Sequence, residues 1–140
     1  MVIDTGEEII GIYSASNHTY TPYRGRRISL ALKRIAKTSE VVTYNGKHYD
    51  LAQLGHFAGL PEGDEYPLNG THTDMREIIW SERIWGKCLR DTYIEHFMQL
   101  PEFPSTYEGS NEADCYMTYM LWRLWKQGEL KILDGQSVHA

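Results

Sequence analysis

Two cysteines in 140 residues, Cys88 and Cys115, are too few for a disulfide framework or a cysteine-built zinc site. No apolar stretch approaches the ~18 residues that a membrane span needs. The N-terminal run MVIDTGEEIIG puts acids where a signal peptide carries a basic segment and an apolar core. A basic excess is missing too. Fourteen Lys and Arg stand against 19 Asp and Glu, a net charge of −5, unlike a protein that lives on non-specific phosphate attraction. There is no P-loop (GxxxxGK followed by Ser or Thr), no GxGxxG after a strand, no HExxH and no GxSxG. Internal repeats, low-complexity segments and a linker long enough to divide domains are also lacking. What these absences leave is a soluble, cytoplasmic protein with no membrane partner, folded as a single domain over 1–140.

What is present is ordinary globular composition, 41% hydrophobic and 24% charged. A chain of this size buries roughly two-thirds of its unfolded surface and needs no staples. Charge is unevenly spread. Six basic residues (Arg24, Arg26, Arg27, Lys33, Arg34 and Lys37) fall between positions 24 and 37, a pattern that fits a solvated helix face. The stretch 102–114 holds four acids and no base. Acidity does not exclude nucleic acid, because carboxylates that hold divalent metal make an enzyme acidic while the metal faces phosphate.

Periodicity predicts α/β alternation. Met1–Asp4, Glu8–Ser14 and His18–Tyr23 are short β-rich runs separated by turn residues, an antiparallel meander. Ile28, Ala31, Leu32, Ile35 and Ala36 keep helical spacing, so 28–38 is an amphipathic helix. Val41–Tyr44 is a buried strand closed by the Asn45-Gly46 turn, and Asp50 opens a helix that Gly59 and Pro61 end. A short strand near Thr71–Thr73, helices over about 87–99 and 111–127, and a tail with at most one short strand complete the chain. The Met and aromatic stripes of these helices are core, and both cysteines are expected there as buried, inert thiols.

The acids at element ends carry the chemistry. Asp4 ends the first strand, Asp50 stands at a strand-to-helix junction, Asp74 lies just past a strand, and Asp114 sits in the first turn of the long helix. Taken singly, each is a helix cap or first-turn acid. Together, read by position alone, they are only a hint of divalent metal held off one sheet edge. Three segments add a resemblance. VVTYNGKHYDLAQL (41–54) looks like the second motif of the DEDD-type 3′–5′ exonucleases of the ribonuclease H-like superfamily, and THTDMREI (71–78) and KCLRDTYIEHFMQLP (87–101) resemble segments that follow it there. NEADCYMTYMLWRLWKQGEL (111–130) is similar to the third motif of the predicted exonucleases related to the family B DNA polymerase proofreading domain.

The resemblance implies a ribonuclease H-like mixed sheet of about five strands flanked by helices, the first three antiparallel. It also implies two-metal phosphodiester hydrolysis with Mg²⁺ or Mn²⁺, on a nucleic-acid partner engaged at its DNA or RNA 3′ end. Asp4, Asp50 and Asp114 are the implied metal-binding catalytic residues, with Glu7 a further ligand candidate. Asn45 and Ser110 sit where substrate is bound, and Tyr49 or Phe57 offers a ring to a base. Two positions depart from the family pattern. The Glu of its Asp-x-Glu first motif is Gly6 here, and the tyrosine expected four residues before the last aspartate is Ser110, with Tyr107 nearby but out of register. These departures predict a weak enzyme. The alternative is an exonuclease-derived module that binds nucleic acid or protein without cutting. The oligomeric state is not legible.

Overall fold

The computed structural model describes residues 1–81, 86–131 and 137–138. The β-rich N-terminal runs form β1 (Val2–Thr5), β2 (Ile9–Ser14) and β3 (Thr19–Arg24). Both pairings are antiparallel, with Asp4 opposite Gly11 and Tyr13 opposite Tyr20. After α1 (Ile28–Ala36), the chain returns in β4 (Glu40–Thr43), parallel to β1. α2 (Asp50–Phe57) precedes β5 (Thr71–Asp74), which lies parallel to β4. The result is a five-stranded mixed sheet of order β3-β2-β1-β4-β5, the architecture expected from the sequence. Three helices follow: α3 (Met75–Trp80), α4 (Leu89–Phe97) and α5 (Tyr107–Lys126).

The period of two along the strands divides the core between the two faces of the sheet. Val2, Tyr13 and Val42 pack with Met75, Ile79 and Trp80 of α3 and with Cys115, Tyr119 and Leu121 of α5. Ile3, Ile10, Ile12 and Val41 face the other way, onto Ala31 and Ile35 of α1 and Leu51 and Leu54 of α2. Each fully buried Ile, Leu or Met contributes about 1.5–3 kcal/mol, so helices on both faces are what make so short a sheet stable. Phe57 belongs to the second cluster as a partly buried packing ring.

Helix ends follow local chemistry. α5 starts at Tyr107 rather than 111, because the Thr106 hydroxyl accepts from the Gly109 N–H at 2.9 Å and caps the helix four residues earlier. Gly59 and Gly128, both at positive φ, follow α2 and α5. Cys115 is buried, as expected, but Cys88 is exposed because it lies just before α4 rather than within it. Near the C-terminus, β6 (Leu130–Lys131) pairs antiparallel with β7 (Ser137–Val138), two strands where the sequence reading allowed one. Two-residue strands carry too little alternation to be read from sequence. The rest of that tail, 132–136 and 139–140, lies outside the described residues. Among the described residues, no helix is long and apolar enough to cross a membrane.

Candidate active site

The last two residues of β1 point to opposite faces of the sheet, and each meets an aspartate. Asp4 faces α5 and lies within hydrogen-bonding reach of Asp114. Thr5 faces α2, where its backbone N–H donates to Asp50 Oδ1 at 3.1 Å and its hydroxyl donates to the same oxygen. The three aspartates named from sequence are thus brought around the end of one strand from sites up to 110 positions apart in the chain, and their charges act on one another.

Burial and crowding set their acidity. Desolvation, then the charges of Asp50 and Asp114, hold the Asp4 carboxyl well above the usual range, against a lowering contribution from Asn111. Asp50 is pushed up to about 7 by desolvation, which outweighs the two Thr5 hydrogen bonds. Asp114 is raised to about 6 by desolvation, with its Asp4 hydrogen bond and the Arg90 charge opposing. Three carboxylates with so little positive charge among them make a centre that calls for a proton or a cation.

Four residues that sequence reading did not assign complete the centre. Thr5 is the first. Asn111 Nδ2 donates to both the carbonyl oxygen and Oδ2 of Asp4, each at 3.0 Å, and Asn111 Oδ1 accepts from the Tyr20 hydroxyl at 2.6 Å. Tyr107 places its hydroxyl over Gly6, where it accepts from the Glu8 N–H at 3.1 Å while Arg24 lies over its ring. The one available signal was the N-terminal half of α5, whose residues 107 and 111 lie one turn apart on one side.

The other sequence candidates are placed as follows. Glu7 is exposed in the β1–β2 turn and lines a shallow cleft with Arg24, Ile28 and Phe57. Tyr49 is half exposed beside the centre, and its hydroxyl pKa is raised by burial and then by the charges of Asp50 and Asp4. Ser110 is exposed and lines a cleft of about 210 Å³ with Asp114, Arg90, Phe103 and Met117. Asn45 adopts φ 67° in the turn after β4. Asp74 has a structural task. Its carboxylate accepts from the N–H groups of Asn45, Lys47 and Arg76, pinning that turn and capping α3. Among the described residues, no group of three or more His, Cys, Asp or Glu side chains closes around one ion position.

Gly6 has a steric explanation. A Cβ there would come 2.3 Å from the Tyr107 hydroxyl oxygen. Gly6→Ala is expected to push the phenol off the Glu8 N–H and lose about 1 kcal/mol. Urea denaturation of Gly6→Ala, Tyr107→Ala and the double variant checks this, since the double loss should fall short of the sum. Additive losses would rule out the contact.

Residues 5–139 match the family model described as RNase_H superfamily. No curated protein matches the chain. With a match over nearly its whole length and a mixed sheet that gathers aspartates at the end of its first strand, the chain belongs to the RNase H superfamily and has the RNase H-like fold.

Proposed function

We propose that this chain is a divalent-metal-dependent 3′–5′ exonuclease that hydrolyses phosphodiester bonds of DNA or RNA by a two-metal mechanism, weakened by its incomplete first motif. Membership of the RNase H superfamily supports nuclease-type cleavage of nucleic acid. The observation that supports the exonuclease reading is the Asp4–Asp114 pair, two carboxylates within reach of each other at the end of β1, with Asp50 acting on them by its charge.

The donor chemistry fits Mg²⁺ or Mn²⁺. The pair offers only oxygen, which hard cations prefer, and it leaves coordination positions for phosphate and water. Asp4 and Asp114 would hold one ion, and Asp4 with the Asp50 oxygen not engaged by Thr5 would contribute to the second. The bound cation supplies charge stabilisation and a more acidic water. The protein's part is to orient. Thr5 fixes Asp50, Asn111 fixes Asp4, and the half-exposed rings of Tyr49 and Tyr107 offer base-stacking surfaces beside the carboxylates, worth ~1–3 kcal/mol per base. Ser110 and the cleft beside Asp114 lie where the terminal nucleotide would sit.

One observation favours a second reading. The Tyr107 phenol fills the space above Gly6, where the family's second acid would begin. A centre lacking that acid could hold a nucleic-acid end or a protein partner without cutting.

The test is direct. Purified protein with Mn²⁺ should shorten a 5′-labelled single-stranded oligonucleotide one nucleotide at a time from its 3′ end. Intact oligonucleotide in the presence of Mn²⁺-bound protein would favour the binding module, and internal fragments would contradict the 3′–5′ direction.

A further inference from the structure

Asn111 is 4% exposed, yet it is placed for more than filling space. Gly11 is the cross-strand partner of Asp4, and a Cβ at Gly11 would come 1.8 Å from Asn111 Oδ1. The absent side chain on β2 is what lets the carboxamide cross from α5 to β1. The orientation of the amide is fixed chemically. A backbone carbonyl can only accept, so the end of the amide that meets the Asp4 carbonyl must be the NH₂ group. That places Oδ1 toward Tyr20, whose hydroxyl donates to it. The same NH₂ reaches Asp4 Oδ2, so one oxygen of the carboxylate is committed to an amide donor and the group cannot rotate freely.

We propose that Asn111 is the positioning residue of the carboxylate centre, holding Asp4 in the orientation in which it shares a divalent cation with Asp114, and that Tyr20 fixes the end of the amide that does so. The inference rests on the metal-dependent reading above. A chain of hydroxyl, amide and carboxylate spanning β3, α5 and β1 keeps the carboxylate preorganised, so binding an ion does not first have to order it. Outer partners of metal-binding groups typically contribute roughly 10–100-fold in metal affinity.

Three variants reach the same contact by different routes. Tyr20→Phe removes the hydroxyl that orients the amide. Gly11→Ala displaces the amide from the β2 side, with its new methyl also against the Tyr20 ring. Asn111→Asp sets a carboxylate against the Asp4 carbonyl and carboxylate. Isothermal titration with Mn²⁺ should show wild-type binding. The expected losses of affinity are about 3–10-fold in Tyr20→Phe and about 10–100-fold in Gly11→Ala and Asn111→Asp. In any cleavage assay the loss should appear in kcat with KM little changed. A purely structural role for Asn111 would instead lower the thermal midpoint and leave Mn²⁺ affinity intact, which would overturn the inference and leave the nuclease reading standing. Wild-type protein that binds no Mn²⁺ would sink both. Wild-type protein that binds Mn²⁺ and cuts nothing, with weakened binding in the variants, would sink the nuclease reading and support the positioning role.

Discussion

Asp4→Asn is expected to fold more stably than wild type at pH 8 and to lose at least ~10³-fold in cleavage, about 4 kcal/mol of transition-state stabilisation. The two effects have one cause. In the metal-free protein Asp4 is desolvated and exposed to the charges of Asp50 and Asp114. An asparagine there reproduces the protonated form permanently. Its amide NH₂ can donate to Asp114, and its oxygen can still accept from Asn111. The like-charge repulsion disappears and about 1–2 kcal/mol is gained. The same change removes an anionic ligand from the pair that would hold the cation. Stability by urea denaturation, Mn²⁺ affinity by titration and cleavage rate are measured on one preparation. A variant that is less stable than wild type, or that retains cleavage, would show that Asp4 does not carry this charge.

That opposition between stability and activity marks what the sequence could and could not convey. Asp4, Asp50 and Asp114 were legible because motif spacing survives in one dimension, and the strands around them were legible from alternation and turn residues. Asn111 was not legible. Its role depends on the β1–β2 register, which sets Gly11 opposite Asp4, and on the rotation of α5, which aims residue 111 at that gap. Neither is written in local periodicity. Thr5 carries no sequence signal for a similar reason. As the residue after a motif aspartate it has no pattern of its own, and its partner lies 45 positions away. Tyr107 stands out of register with the motif, and sequence spacing alone cannot tell that its hydroxyl reaches Gly6. Asp74 shows the converse. Sequence placed it with the other acids, whereas three backbone N–H groups account for its carboxylate.

Metal-free protein should lose stability as pH rises from about 4 to about 8, and Mn²⁺ should restore it. Unfolded aspartates titrate near ~3.9. In the folded state Asp50 titrates at about 7, Asp114 at about 6 and Asp4 well above its usual value. Between these limits the folded state binds more protons than the unfolded one, so the slope of unfolding free energy against pH is negative. The stabilisation is fully present below about pH 4 and is lost as pH rises through 6 and 7. Asp50 is 2% exposed, and holding its carboxyl at about 7 in the folded state corresponds to on the order of 4 kcal/mol from that group alone. A cation in the Asp4–Asp114 pair does at pH 8 what the proton does at pH 5. At a hundredfold excess over its Kd it should return about 2.7 kcal/mol. Urea denaturation at pH 5 and pH 8, with and without Mn²⁺, gives the four values needed, and Asp4→Asn should flatten the pH dependence of the metal-free series. Equal stability at both pH values would mean that the carboxylates are not crowded as described. A pH-dependent loss that Mn²⁺ fails to reverse would mean that the pair takes protons but no metal, and would favour the binding module over the nuclease.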